Sequence, residues 1–250
     1  MNMLKKLLAG LTMGAALIAT AHASAEAHLD KAPINLGDKE SLQRGAKTFV
    51  TYCMGCHSAS FMRYNRLTDI GFTEQQIKNE LILTDHKISE TMISAIDPAQ
   101  AKEWFGVMPP DLTVIARSRE GGADYLYTLL RTFYRDDARP TGWNNLAFPN
   151  IGMPHPLWQL QGERKPVFKT ETVYGEAKQV PTGEWTQVTP GTLKQEDYDK
   201  TVADLVNFLQ WMGEPMQQTR QQIGIWVLLF LVICTFIAWQ LNKAYWKDVK

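Results

Sequence analysis

Apolar and polar positions along the 250-residue chain fall into three regimes, each predicting a different kind of element. From Ser41, the expected N-cap, the apolar residues Leu42, Ala46, Phe49 and Val50 recur at the spacing of one helix face. A second helix is predicted over Thr73 to Leu83, capped by Thr73 with Ile77 and Leu81 on one face. A third spans Gly121 to Phe133 through Tyr125, Leu126, Leu129, Leu130 and Phe133. Val202, Leu205, Val206, Leu209 and Met212 set out a fourth, which Pro215 should end or kink. Residues 160–192 break the pattern. There Val167, Val173, Tyr174, Val180 and Trp185 lie among glycines and prolines, which predicts a short hairpin or an irregular insertion. The expected fold is mainly α, with loop or hairpin insertions.

The third regime, apolar without periodicity, occupies the two ends. The N-terminal stretch opens on Lys5 and Lys6, runs apolar from Leu7 to Ala19 and closes on Ala-x-Ala patterns between Ala21 and Ala27. That is the layout of a secretory signal peptide, residues 1–25, with cleavage within 23–27. As a helix the apolar part reaches only ~20 Å, short of the ~30 Å of a bilayer core. From Ile223 to Leu241 the chain carries no charge and is apolar on every face. These residues give roughly 28 Å of helix, which predicts a membrane anchor. Trp226, Trp239, Tyr245 and Trp246 would sit near its interfaces, and Lys243, Lys247 and Lys250 against Asp248 place the tail in the cytoplasm. The expected organisation is a signal peptide, an exported domain over 26–215, a stalk over 216–222, a single span over 223–241 and a tail over 242–250. In a bacterial chain this puts the domain in the periplasm, tethered to the inner membrane.

Composition matters once the ends are set aside. The whole chain balances 26 Lys+Arg against 26 Asp+Glu, while residues 26–222 hold 21 basic and 25 acidic residues. Neither count fits a nucleic-acid binder. The acids bunch at Asp136-Asp137 and at Glu196, Asp197, Asp199 and Asp204; such bunches either steer a basic partner or are simply solvated.

The chemistry centres on Cys53-Met54-Gly55-Cys56-His57, the C-x-x-C-H pattern of covalent haem attachment. Two thiols three positions apart reach the two vinyl groups of one porphyrin, and the adjoining imidazole meets the iron from the same turn. A redox C-x-x-C would be expected beside a βαβ pattern, and zinc would need further ligands. Cys234, the third cysteine, lies inside the apolar span. One haem c, linked through Cys53 and Cys56 with His57 as axial ligand, is therefore expected. For the sixth position, Met153 stands out in Phe148-Pro-Asn-Ile-Gly-Met153-Pro-His-Pro, where Gly and Pro demand a fixed loop. His155, Met92, Met108 and Met216 compete. His/Met ligation favours electron transfer, whereas an open position would allow a haem enzyme or gas sensor.

Several segments together resemble cytochrome c1, the haem subunit of the quinol:cytochrome c oxidoreductase (bc1) complex: CMGCHSASFMRYNRL, MPPDLTVIARSREGGADYLYTLL, RPTGWNNLAFPNIGMPHPLW, and the anchor preceded by ADLVNFLQWMGEP. The resemblance runs from the haem motif to the C-terminal anchor and strengthens the case for Met153. It implies that Arg119 and Tyr125 approach the haem propionates, and that Pro110, Ile115, Leu129, Leu130, Phe148 and Ile151 line the haem. A guanidinium suits the first role because it stays charged and forms two directed bonds to a carboxylate. Two departures from the family pattern concern Trp104 to Met108, where the family often carries an Asn-containing stretch, and the Phe148 to Met153 loop, shorter than in mitochondrial members. The resemblance further implies a non-catalytic redox subunit that takes electrons from the Rieske iron–sulfur protein and passes them to a soluble or membrane-bound cytochrome c, with cytochrome b as a partner. A rival reading is a membrane-tethered cytochrome c acting outside any complex.

Overall fold

The computed structural model describes residues 29–173 and 176–248; the expected signal peptide lies outside them, as does Tyr174. Helix α1 (Lys39–Tyr52) starts at Asp38 rather than Ser41. The Asp38 carboxylate accepts the Ser41 N–H at 3.0 Å, satisfying an amide that has no partner inside the first turn. Ser41 is instead buried, and its hydroxyl accepts from Asn207 at 3.0 Å.

Strand β1 (Ala59–Arg63) leads into a 3₁₀ segment, Tyr64–Ile70. Thr73 caps α2 (Glu74–Gln76) through a reciprocal capping box with Gln76, and the helix widens into a π turn over Ile77–Leu81, with Ile77 and Leu81 buried as the spacing predicts. Strand β2 (Thr91–Met92) pairs antiparallel with β1. Helix α3 (Pro98–Phe105) is capped by Asp97, and α4 (Ile115–Ser118) and α5 (Gly122–Arg131) follow. Helix α5 stops before Phe133 because that residue opens β3 (Phe133–Arg135), antiparallel to β4 (Trp143–Asn145).

After α6 (Trp158–Gln161) come β5 (Gly162–Val173) and β6 (Glu176–Pro190), a hairpin longer and more regular than expected. Its prolines are tolerated because each strand of a two-stranded ribbon has a free edge, and the register slips between Pro166 and Phe168. Helix α7 (Gln195–Gly213) ends before Pro215, as predicted, and α8 (Gln217–Tyr245) is the apolar helix. Helical residues make up about half of the described residues; the fold is mainly α, and the sheets are small.

The core lies where α1 crosses α7. The two backbones approach so closely at Gly45 that a Cβ there would stand 2.0 Å from the Asp204 carbonyl. Leu42, Ala46, Phe49 and Val50 are buried as the periodicity predicts, and Phe49 meets Phe208 at 5.7 Å between ring centroids. Each large side chain buried there contributes about 1.5–3 kcal/mol. Around this core the acidic residues are mostly neutralised in place. Asp204 takes Arg44 at 2.6 Å, Asp199 takes Arg131 at 2.7 Å, and Asp137 faces Arg135 and Lys165. These pairings argue for local charge balance at those acids more than for steering.

Helix α8 begins six residues before the apolar run, so the segment assigned to a stalk is helical. Its 29 residues span about 43 Å, and its apolar side chains from Ile223 to Leu241 are exposed.

Candidate haem-binding site

Helix α1 delivers the cysteine motif at its C-terminal end. The backbone does not stop at Tyr52 but winds on: the Cys53 N–H donates to the Phe49 carbonyl at 2.9 Å, and the Cys56 and His57 N–H groups both return to the Cys53 carbonyl, at 3.1 and 2.8 Å. One tight turn therefore carries both thiols and the imidazole. The thiols are free, with Cys53 buried and Cys56 half-buried. Burial, helped by the neighbouring Cys56, pushes the Cys53 thiol up to about 12, so it rests protonated.

His57 is oriented by its far side. Its Nδ1 lies 2.8 Å from the Pro110 carbonyl. A carbonyl can only accept, so Nδ1 carries the proton and Nε2 keeps its lone pair for a metal. Burial lowers the His57 pKa, against the opposing pull of the Pro110 carbonyl and Asp111, which favours the neutral, ligating form.

Residues given no role by the sequence hold Pro110 in place. Asp111 accepts from the Ser60 amide at 2.7 Å and the Thr113 amide at 2.8 Å, and the Leu112 N–H reaches the Ser58 carbonyl at 2.8 Å. These bonds outweigh desolvation and hold the Asp111 carboxyl below the usual range. From the other side, the Ser94 hydroxyl donates to the Gly55 carbonyl at 2.9 Å, inside the motif itself.

Met153 arrives on a loop with a different construction. It is half-buried and packs against the core, with Ile151 buried beside it. The loop follows β4, and its shape is set by two buried asparagines. The Asn145 Oδ1 accepts from the Ala147 and Phe148 amides at 2.8 and 3.1 Å, while its Nδ2 donates to the Leu129 carbonyl at 2.7 Å. Asn144 accepts from the Asn150 amide at 2.8 Å and donates to Asp136 at 2.8 Å. Asn150 is the one non-glycine residue with positive φ (64°) among the described residues. Its carbonyl and side-chain oxygen both accept from Arg139, at 2.9 and 3.2 Å. Asparagine tolerates that left-handed turn better than most residues, and a Cβ on Gly152 would come within 3.0 Å of the Phe105 carbonyl. Trp143-Asn144-Asn145 lies in a segment the sequence singled out only as a resemblance.

His155, the competing ligand, is enclosed. Its ring stacks on Phe133 at 4.7 Å and meets Trp143 edge-on at 5.1 Å, and its Nε2 lies 2.7 Å from the Gln161 amide. Burial pushes its pKa down to about 3. Among the other methionines, Met92 is fully buried opposite Ala59 in the β1–β2 pair, Met216 is exposed beside α8, and Met108 is partly exposed.

The structure brings Arg119, Tyr125 and Phe148 together. The Arg119 guanidinium donates to the Tyr125 hydroxyl at 3.1 Å and lies 4.6 Å from the Tyr125 ring centroid and 5.5 Å from that of Phe148. Arg119 is exposed and has no carboxylate among these contacts, so its charge remains available to an anion. Ile115, Leu129 and Tyr125 pack partly buried against the core, Leu130 is buried within it, and Pro110 is exposed. Trp104 is exposed, with its edge toward Phe105.

The donor set fits one covalently held haem: two free thiols on one turn, a neutral imidazole with a committed tautomer, a thioether on a clamped loop and a free guanidinium. Among the described residues no group of three or more His, Cys, Asp and Glu side chains is arranged to hold a bare metal ion. A mainly helical domain with this turn, joined to one exposed apolar helix, defines a membrane-anchored c-type cytochrome.

Comparison with known proteins makes the class specific. The sequence profile of the Cytochrome C1 family matches residues 30–249, and the chain belongs to that family. It is 46% identical over 228 residues to cytochrome c1 of Allochromatium vinosum, covering 89% of this chain and 90% of the other. It is 30% identical over 245 residues to cytochrome c1 of Rhodospirillum rubrum, covering 85% and 83%. A protein described as ammonia monooxygenase gamma subunit, from Nitrosomonas europaea, is 47% identical over 250 residues and covers both chains in full.

Proposed function

We propose that this chain is the haem-bearing electron-transfer subunit of a bc1-type quinol:cytochrome c oxidoreductase, accepting electrons from a Rieske iron–sulfur protein and delivering them to a cytochrome c. The reading is carried by the cysteine turn with its preset imidazole, His57, and supported by a thioether, Met153, on a separately clamped loop of the same domain. When bound, the haem supplies a one-electron Fe(III)/Fe(II) couple. Cys53 and Cys56 would hold the porphyrin by thioether bonds, and His57 Nε2 and Met153 Sδ would be the two protein ligands to its iron. The Pro110 carbonyl keeps the imidazole in one tautomer and orientation. Arg139, Asn144 and Asn145 keep the methionine loop in one shape, so little protein rearrangement accompanies each electron. Arg119 and Tyr125 would meet the propionates, with the Phe148 ring 5.5 Å from the guanidinium.

With His57 and Met153 both committed as ligands, the site would favour electron transfer over oxygen chemistry, and the oxygenase name of the Nitrosomonas relative is not carried over to this chain. The apolar helix fixes the domain to a membrane. The signal-like N-terminus and the lysines after the span support a periplasmic domain with a cytoplasmic C-terminus. Cytochrome b, the quinone-binding partner the family implies, would pack against the anchor.

Mild detergent extraction followed by identification of co-purifying subunits and haem types tests the assignment. Recovery with a b-type cytochrome and an iron–sulfur protein is expected. Purification as a lone c-type cytochrome would favour the independent tethered carrier.

A further inference from the structure

A cavity at the junction of the domain and its anchor plays no part in electron transfer. Its volume is about 310 Å³, and it lies between the first turn of α1, the 3₁₀ segment, the end of α7 and the first turn of α8. Trp211 and Met216 give it an apolar wall, and Lys39, Arg66 and Asp69 a charged one. Arg66 is tied to Asp69 at 2.7 Å, so two cations and one carboxylate leave one net positive charge. The surplus stands out on a domain whose overall balance is acidic.

Depth decides what could occupy it. Gln218, on the cavity wall, precedes Ile223 by about 7.5 Å of helix. Each interfacial layer of a bilayer, outside its ~30 Å hydrocarbon core, is roughly 5–8 Å thick. With Ile223 at the hydrocarbon edge, the cavity opens at the level of the lipid headgroups. Met216, 56% exposed, continues the wall toward the apolar span.

We propose that this cavity seats the headgroup of an anionic phospholipid, with Lys39 and Arg66 facing its phosphate and Trp211 and Met216 against its glycerol and first acyl carbons. The inference rests on the membrane anchor and not on the haem assignment. Indole and thioether side chains suit a site that is wet at one end and apolar at the other.

The full-length, haem-loaded chain in nanodiscs of equal parts phosphatidylglycerol and phosphatidylethanolamine, released into mild detergent, provides the test. Native mass spectrometry then reads the retained lipid, and a parallel sample holds phosphatidylethanolamine with inorganic phosphate. Selective retention of one phosphatidylglycerol is expected. K39Q should reduce it about fivefold and K39Q/R66Q about thirtyfold, from the usual contribution of each basic residue near a charged surface. Because Lys39 occupies an exposed first-turn position, the single variant decides the matter even if loss of the Arg66–Asp69 pair disturbs the fold. R220Q, on the same turn of α8 but outside the cavity and paired with Glu214, should change retention less than about twofold. Equal retention of the two lipids, or retention unaffected by K39Q, would overturn the proposal. So would inorganic phosphate binding as tightly as the lipid, or a membrane subunit cross-linking to Lys39 in place of lipid.

Discussion

The two sides of the candidate iron site are built by opposite means. His57 comes from a helix end, positioned by main-chain hydrogen bonds that return to Cys53 and by a carbonyl at Pro110. Met153 comes from a loop whose shape depends on the side chains of Asn144, Asn145 and Arg139. A turn made of main-chain bonds tolerates most substitutions within it, with Asp111 and Ser94 supporting Pro110 and Gly55 from outside. A loop held by three polar side chains does not: removing Asn144 or Asn145 strands partly buried partners, and removing Arg139 releases the exposed Asn150. Damage should therefore reach the methionine side first, and the predictions below probe that asymmetry.

The largest effect is expected at Asn145. Asn145→Ala strands the Leu129 carbonyl and the Ala147 and Phe148 amides, while the Thr132 hydroxyl keeps its shorter bond to the Thr128 carbonyl at 2.7 Å. A loss of about 3 kcal/mol is expected in denaturant unfolding, at roughly 1 kcal/mol net per bond. Covalent haem should be retained, while the methionine–iron absorption band weakens before the helical signal does. Coincident loss of both signals would erase the asymmetry.

A smaller effect is expected at Arg139→Gln, which releases both contacts to Asn150 and leaves only the bond from its amide to Asn144 to hold its positive φ. The cost is about 1–2 kcal/mol. The sensitive readout is carbon monoxide binding to the reduced protein, expected to become faster as the loop opens more often; an unchanged rate would remove Arg139 from the clamp.

Acid should act more gently on the same loop. The hydrogen bond from Asn144, aided by the Ala138 amide and nearby Arg139 and Lys165, lowers the Asp136 pKa. Its stabilising contribution is therefore complete above the unfolded value of about 3.9 and is lost as pH falls through the lower folded value. The methionine band should fade in that window ahead of global unfolding. Asp136→Asn should shift the fading to a different pH; a profile identical to that of the unsubstituted protein would exclude Asp136.

The same asymmetry explains what the sequence could convey. Helical spacing located α1, the start of α2, most of α5 and α7, because burial of one face leaves a periodic trace. The cysteine motif was legible because its chemistry fixes residue types at adjacent positions. The Asp38 cap was missed because Ser41 also has a capping side chain, and only the folded backbone shows which oxygen reaches the free amide. Asp111, Ser94, Arg139, Asn144 and Asn145 left no trace of their roles, since their partners lie up to 51 residues away or on carbonyls that no side-chain pattern records. The hairpin was anticipated but its length was not, because its alternation is weak where both faces meet water. Met153 was preferred over His155, two residues away, on its Gly- and Pro-bounded loop and on the resemblance; the stacking of His155 on Phe133 is visible only in the fold.

The most direct test is Met153→Ala with the haem attached. Loss of the low-spin His/Met spectrum is expected, with the haem still covalently bound and a reduction potential lower by a few tenths of a volt, within the ~0.8 V that axial ligands span. A spectrum and potential unchanged from those of the unsubstituted protein would contradict two-sided ligation by His57 and Met153.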